Sequence, residues 1–214
     1  MKSENTQFFE IKKILEEKGL VVLRPDEYED IYELVQRYYK DDALMKWFAG
    51  RDKAGIVSEK MFKIAVSFSK ESLIYYDSKE RNALTIWLHS DVDLKKIFKI
   101  LKNGGSDIIN LGGLNLLKKV IVYEYFANRI KHRQFGKHCW HLFVFAVKDG
   151  KAGRYIYSEK MLNPITKYAW ENNIPCYAEV NKPEDIPALQ KAGFQIRGSE
   201  KVPGSDINHY VLMI

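Results

Sequence analysis

Several side chains in this sequence could take a proton from a nucleophile. His138 and His141 flank a tryptophan at the entry of an apolar run, and Glu179 lies inside a second apolar run. A histidine titrates near neutral pH, and burial raises the pKa of a carboxyl group, so both suit a general base. Glu124 and His132 are further candidates. The alternatives are a structural role for each histidine and a solvent-facing position for Glu179.

The elements that must position these residues form a strand–helix–strand unit. The apolar runs are β-rich, and the segment between them has helical spacing of its apolar residues. The predicted elements are a strand over 139–147, a polar loop over 148–154, a helix over 155–172, a strand over 176–180 and a short helix over 186–191. A unit of this kind indicates two parallel strands joined by a right-handed crossover.

At these residues the chain resembles the GCN5-related N-acetyltransferases, the GNAT family. In that family an apolar strand leads into a Gln/Arg-x-x-Gly-x-Gly/Ala loop that opens a helix, and a Gly-Phe pair follows later. Cys139-Trp140-His141-Leu142, Met161-Leu162-Asn163-Pro164 and Ala192-Gly193-Phe194 take the matching places. The resemblance implies an α/β fold of the GNAT (acyl-CoA N-acyltransferase) type. Its sheet is mixed and mostly antiparallel, with helices on both faces and a splay between the fourth and fifth strands.

The resemblance also implies an activity, the transfer of an acyl group from acetyl-CoA to a primary amine of a small molecule. Acetyl-CoA would be the co-substrate and the amine the partner, with His141, His138 and Glu179 as the catalytic candidates. A strand amide near Ala146 or Val147 would polarise the donor carbonyl. The residues implied to contact the donor are Ala146, Val147, Gly153, Arg154, Tyr155, Ile156, Tyr157, Ser158 and Asn181.

Four residues depart from the family pattern at positions that contact the donor or the reacting groups. Ala152 stands at the Gln/Arg position, and Tyr155 and Tyr157 replace the two loop glycines. Leu189 stands where the family often has a general-acid tyrosine. Amides at a helix N-terminus can still bind an anion. The alternative is a catalytically inactive GNAT-fold protein that binds a ligand or a partner.

The chain is predicted to hold one domain after a short extension. Residues 1–19 form an N-terminal helical extension whose apolar face packs on the core or, alternatively, forms a homodimer contact. The domain then covers 20–214. Its N-terminal half, 20–137, contains a first strand over 20–25, a hairpin and a helical insert over 94–131, and its acetyl-CoA-binding half is 138–214. Within the insert a first helix is followed by residues 103–106, and Gly112-Gly113 is predicted to form a helix-to-helix turn.

Composition restricts the class of protein and its compartment. The 214 residues are 46% hydrophobic, enough for a full core, and the formal charge of +6 is spread along the chain. A spread charge suits a solvated surface and an anionic ligand better than nucleic acid. Cys139 and Cys176 lie in predicted buried strands, as reduced intracellular cysteines do. No signal-like or membrane-length apolar run is present, and His and Cys lack metal-ligand spacing, so we expect a cytoplasmic protein without a metal.

Overall fold

The structure is a computed structural model that describes residues 4–24, 27, 29–68, 72–78, 80–89, 94–134, 139–148 and 150–214. Its helices are α1 (Glu4–Glu17), α2 (Glu29–Tyr39), α3 (Ala43–Ala49), α4 (Ala54–Phe68), α5 (Leu94–Gln134), α6 (Gly150–Glu171) and α7 (Ile186–Lys191). Its strands are β1 (Val21–Val22), β2 (Ser72–Tyr76), β3 (Ala83–His89), β4 (Trp140–Val147), β5 (Cys176–Val180), β6 (Gln195–Lys201) and β7 (Asn208–Met213). Short 3-10 turns cover Arg51–Lys53 and Pro183–Asp185.

The strands form one mixed sheet in the order β1-β2-β3-β4-β5-β7-β6. Among the described residues, β4 and β5 pair in parallel, and every other neighbouring pair is antiparallel. The parallel pair arises because α6 carries the chain back over the sheet between these two strands. The predicted fold class is confirmed: a mixed, mostly antiparallel sheet with helices on both faces.

The sheet opens between β4 and β5. Their paired residues are Trp140 with Cys176, His141 with Tyr177 and Leu142 with Ala178. β4 continues to Val147, beyond the last of these pairs. The second half of β4 therefore borders a gap that widens toward the carboxyl ends of the two strands, as the family resemblance implied.

A β-bulge lies in β4 where the gap begins. Ile86 of β3 pairs with Val144 and Trp87 pairs with Leu142, so Phe143 is an extra residue in β4. A bulge changes which face the following side chains occupy. Leu142 and Phe145 accordingly lie in the same core cluster although three positions separate them, and Val144 lies in the cluster on the opposite face.

Each face of the sheet has its own helical layer. One core cluster combines α1, α6 and α7 with side chains such as Trp87 and Trp140. On the other face, α2 and α4 cover the strands near β3, while α3 and the second half of α5 cover β5 and β7. Tyr177 of β5 and Val211 of β7 belong to this last cluster. The open part of the sheet is thus enclosed by helices on both sides.

Three elements differ from the sequence-based prediction. α6 begins at Gly150, five residues before the predicted start, so most of the predicted loop over 148–154 is helical. Gly150 and Gly153 suggested a loop. Gly150 takes a positive φ of 62° at the start of the helix, and the residues that follow it are helical. The insert, α5, is helical through residues 103–106, where the first predicted helix had ended, and a kink at Gly113 (φ 69°) divides it at the predicted helix-to-helix turn. Of the predicted first strand over 20–25, Val21–Val22 form β1, and residue 25 lies outside the described residues.

The hydroxyl group of Tyr75 links the sheet to α6. It accepts a hydrogen bond from Trp87 Nε1 at 3.0 Å and donates one to the carbonyl oxygen of Met161. Because these groups are buried, Y75F would leave a buried N–H without its acceptor, which costs about 1–3 kcal/mol. We expect urea denaturation to show a loss of this size, whereas Y210F, at a partly exposed tyrosine, should change stability by less. Equal losses in both variants would contradict this role for Tyr75.

Candidate active site

The gap between β4 and β5 is bordered by the segments that follow the two strands. α6 follows β4, and the turn Pro183–Asp185 followed by α7 follows β5. Crevices at the carboxyl ends of parallel strands, where two connections diverge, are the usual ligand sites of α/β sheets. The candidate site is therefore built from β4, β5, the starts of α6 and α7, and the helices that cover the opposite face.

His141 and Glu179 face each other at the closed end of the gap. His141 Nε2 lies 4.0 Å from Glu179 Oε2, and both side chains are largely buried. The His141 ring stacks on Tyr177, with ring centroids 4.2 Å apart and an interplanar angle of 12°. Glu179 is the first residue of β5 beyond the last pair with β4. A histidine and a carboxylate at this position form a pair that can accept and hold a proton.

The carboxylate of Glu179 also acts on two buried tyrosines. Burial raises the pKa of Tyr123 and of Tyr177 well above that of an exposed tyrosine, and the negative charge of Glu179 raises both further. Tyr123 comes from α5, which covers this face of the sheet. Both phenols therefore stay protonated at neutral pH and can act as hydrogen-bond donors next to Glu179.

Asn181 and His209 complete a polar cluster on this face. Asn181 Nδ2 donates to Tyr123 Oη at 3.3 Å, and its Oδ1 lies 3.2 Å from His209 Nδ1. The sequence resemblance placed Asn181 among the donor contacts, but its side chain is engaged with α5 and β7. His209 is a residue that the sequence analysis missed. The signal that selected Glu179, a polar side chain inside an apolar strand, would also have selected His209.

At the open end of the gap, Arg154, Asp185 and Tyr38 form a buried cluster, which we call the latch. Arg154 of α6 forms an ion pair with Asp185, just before α7, and both side chains are mostly buried. Tyr38 of α2 donates a hydrogen bond to Asp185 Oδ2 at 2.9 Å, and the Arg154 guanidinium lies 5.0 Å from the centre of the Tyr38 ring. Because α2 and α6 cover opposite faces, these contacts pass through the opening in the sheet.

The electrostatics of the latch are only partly balanced. Burial raises the pKa of the Asp185 carboxyl group, whereas Arg154 and the Tyr38 hydroxyl group act to lower it. The Nε atom of Arg154 is buried and has no hydrogen-bond partner among the described residues. Desolvation of a buried ion pair offsets much of its attraction. The pair can therefore exchange Asp185 for a better anionic partner at modest cost.

A second cation lies beside the latch. Lys182 Nζ is 3.4 Å from Asp42 Oδ2 and 4.9 Å from the centre of the Tyr38 ring. Asp42 also caps α3, since its Oδ1 accepts a hydrogen bond from the Met45 amide at 3.0 Å. Lys182 and Arg154 thus bring two positive charges to the rim of the gap, which suits an anionic ligand group.

Backbone amides of β4 point into the gap. The Lys148 amide donates to the carbonyl oxygen of Asn82 at 2.9 Å, on the β3 side of the strand. Because successive amides of a strand alternate in direction, the amides of Val147 and Phe145 point away from β3. Of the two residues suggested for polarising a carbonyl, Val147 has this orientation, and Ala146 faces β3.

The start of α6 offers another set of amides. The first four amides of a helix have no partner within it, and in α6 these belong to residues 150–153. Gly153 is the last of them. The other loop residues implied by the resemblance lie inside the helix, where their amides are used by earlier carbonyls: Tyr155, Ile156, Tyr157 and Ser158. Tyr155 and Ile156 are exposed, and the Ser158 hydroxyl group donates to the carbonyl oxygen of Tyr155 at 3.0 Å.

The structure thus brings together part of the predicted site. His141 and Glu179 are adjacent, Val147 borders the gap and Arg154 lies at its rim. His138 lies outside the described residues. Tyr38 and Asp185 were not predicted, since they contact Arg154 across 116 and 31 positions of sequence that carry no shared motif.

The described residues contain no group of three or more histidine, cysteine, aspartate or glutamate side chains that could hold a metal ion. A helix able to cross a bilayer was also not found among them.

Comparison with known proteins finds similar folds among solved structures only. No protein-family model and no curated protein sequence matches the chain. Among solved structures it resembles a putative arylalkylamine N-acetyltransferase 7 of the yellow fever mosquito Aedes aegypti, with a TM-score of 0.59 and 15% identity over 91% of this chain and 86% of that one.

Two further structures are similar over nearly their whole length. A polyamine N-acetyltransferase of Drosophila melanogaster, described as forming N-acetylagmatine, has a TM-score of 0.60 and 11% identity over 91% of this chain and 98% of that one. A protein of Corynebacterium glutamicum described as histone acetyltransferase HPA2 and related acetyltransferase has a TM-score of 0.58 and 13% identity over 91% and 94%. Each agreement covers 91% of this chain, so the chain has the fold of the GCN5-related N-acetyltransferases.

Proposed function

We propose that this protein is an acyl-CoA-dependent N-acyltransferase that acetylates a primary amine of a small molecule. The observation that carries the proposal is the opening between β4 and β5, which has the His141–Glu179 pair at its closed end. Amides of β4 point into the same opening. A proton acceptor and a carbonyl-polarising amide are the two groups that amide formation from a thioester requires.

Acetyl-CoA supplies the activated acetyl group. The amine nitrogen forms a bond to the acetyl carbon, the carbon–sulfur bond breaks, and the products are an N-acetylated amine and the CoA thiol. Glu179, with His141 beside it, accepts the proton that the amine loses. The Val147 amide donates a hydrogen bond to the acetyl oxygen, where negative charge develops. The leaving thiolate takes up the proton held by the Glu179–His141 pair, so CoA departs as the neutral thiol. An amine that arrives as an ammonium ion first releases one proton to solvent, which balances charge and atoms.

The residues at the rim of the gap suit the diphosphate of the donor. The amides of residues 150–153 at the start of α6 can bind phosphate oxygens, and Arg154 has a buried N–H without a partner among the described residues. Lys182 adds a second positive charge nearby. Entry requires Arg154 to leave Asp185, since the latch spans the path between the two strands. These features support acetyl-CoA as the co-substrate of a remodelled donor site.

The chemistry of the acceptor side supports a cationic amine. Two buried tyrosines, Tyr123 and Tyr177, lie beside Glu179, and Tyr123 packs edge-on against Phe48 at 5.5 Å. Aromatic faces and a carboxylate together attract ammonium groups. Two of the similar structures are named for activity on arylalkylamines and on polyamines. An amine of one of these classes is the substrate we propose.

The test is a transfer assay with acetyl-CoA and a panel that contains dopamine, tyramine, agmatine and spermidine. We expect mass spectrometry to detect one N-acetylated product, formed in proportion to enzyme and released together with CoA thiol. Heat-denatured protein serves as the control for uncatalysed acetylation. If every amine on the panel stays unmodified while calorimetry detects acetyl-CoA binding, the amine class is wrong. If acetyl-CoA does not bind at millimolar concentration, the transferase proposal is wrong.

One observation favours a second function, a GNAT-fold protein that binds a ligand or partner without transfer. The latch fills the rim of the gap with a buried ion pair and the Tyr38 ring. A chain that had lost donor binding would be stabilised by such a closure. In that case acetyl-CoA would fail to bind both the natural chain and a variant with the latch removed.

A further inference from the structure

His209 of β7 has an unusual environment for a buried histidine. Its side chain is fully buried, and its Nε2 atom has no hydrogen-bond partner among the described residues. Its Nδ1 atom lies 3.2 Å from Asn181 Oδ1 and 3.3 Å from Tyr123 Oη. A buried polar atom without a partner costs about 1–3 kcal/mol. The fold tolerates this cost within the polar cluster that His209 forms with Asn181 and Tyr123.

The contacts of Nδ1 determine which ring nitrogen carries the proton. The Asn181 amide donates to Tyr123 Oη at 3.3 Å, so its other atom, Oδ1, is the one directed at His209. With the Asn181 amide in this orientation, Asn181 Oδ1 and Tyr123 Oη both accept from the Nδ1–H group, and Nε2 presents a lone pair. The pKa of His209 is lowered by burial to about 4, although the charge of Glu200 acts to raise it. The ring is therefore neutral at physiological pH.

We infer that His209 is a specificity-determining residue of the acceptor site, whose Nε2 lone pair accepts a hydrogen bond from an N–H group of the amine substrate. The inference rests on the proposed function. A neutral nitrogen that binds protons so weakly is a poor general base at pH 7, so the proton goes to Glu179 and His141. His209 instead recognises the substrate.

The surroundings of the ring fit an amine rather than an anion. Tyr123 and Phe126 of α5 contact the ring edge-on, with centroids 5.7 and 5.5 Å away. The negative charge of Glu179 raises the pKa of Tyr123, and Asn181, which directly follows β5, donates a hydrogen bond to the Tyr123 hydroxyl group. A lone pair, a carboxylate and aromatic rings all favour a cationic N–H donor.

Two substitutions separate recognition from structure. In H209N the side-chain amide can still donate to Asn181, but the acceptor at the position of Nε2 is removed. In H209Q the longer side chain can place an oxygen near the position of Nε2. We expect H209N to weaken amine binding about tenfold, as the loss of one hydrogen bond does, and H209Q to recover most of the affinity. Both should leave acetyl-CoA binding unchanged.

The readout is nitrogen NMR of the protein labelled in its histidine rings, titrated with agmatine and with dopamine. We expect the His209 Nε2 signal to move toward that of a hydrogen-bonded nitrogen with one of these amines, with an affinity that H209N reduces. This readout needs no turnover. Amine binding without acetyl transfer would therefore overturn the proposed function and leave this inference standing. If neither amine moves the His209 signal at millimolar concentration, or if H209N binds as the natural chain does, the inference is wrong.

Discussion

Replacing Glu179 by glutamine is expected to lower the turnover number for amine acetylation by at least about 100-fold, which is the contribution of a positioned general base. Glutamine has the same shape but does not take up a proton at neutral pH. Glu179 is the first residue of β5 beyond the parallel pairing, and its carboxylate lies 4.0 Å from His141. Binding of acetyl-CoA should not change, because the groups assigned to the diphosphate of the donor lie at the rim of the gap, away from Glu179.

The measurement is steady-state transfer to the best amine of the panel, together with calorimetry of acetyl-CoA. E171Q, at an exposed glutamate that ends α6, is the matched control and should retain full activity. If E179Q keeps a turnover number within a few-fold of the natural chain, another group takes the proton. A larger loss in H141N than in E179Q would assign that role to His141.

The second prediction concerns Asp185, whose replacement by asparagine should increase the affinity for acetyl-CoA at least about tenfold, or 1.4 kcal/mol. Asp185 competes with the ligand for Arg154, because its carboxylate occupies the place of an anion beside this guanidinium. Without that charge, Arg154 is a buried cation that lacks a partner until a diphosphate binds. The free protein should therefore be less stable by about 3–5 kcal/mol.

Calorimetry with acetyl-CoA and thermal unfolding with and without the ligand measure both effects. D206N changes an exposed aspartate that pairs with Lys201 and should alter neither quantity. Y38F removes one hydrogen bond to Asp185 and should increase the affinity by a smaller factor. The double variant D185N/R154Q should lose the gain. Equal or weaker binding by D185N and Y38F would show that the latch does not compete with the donor.

The elements that could be predicted from sequence are those with local signals. Alternating and continuous apolar runs identified β2, β3, β4 and β5, and helical periodicity identified α6. The loop before α6 was predicted to be too long, because two glycines lie near the start of this helix. The break of α5 at Gly113 fits the helix-to-helix turn that the two adjacent glycines suggested.

The part of the candidate site that lies in recognisable strands was predictable from sequence. His141 and Glu179 stand out as polar residues in apolar strands, and the parallel pairing of those strands brings them together. The latch depends on three segments that meet through the opening of the sheet. No residue pattern around Tyr38 or Asp185 announces the contact, because a long-range ion pair has no sequence period. It could be recognised only once the sheet topology was known.

The bulge at Phe143 has a consequence for how this chain can change in length. Side chains before and after the bulge face the same layers only because one extra residue is present. Losing or gaining a single residue in β4 would exchange the apolar side chains that face α6 with those that face α2 and α4. Changes of two residues would preserve both faces. Related chains are therefore expected to keep the length of β4 between its ends, with the bulge, and to vary in length in the segments that precede and follow the strand.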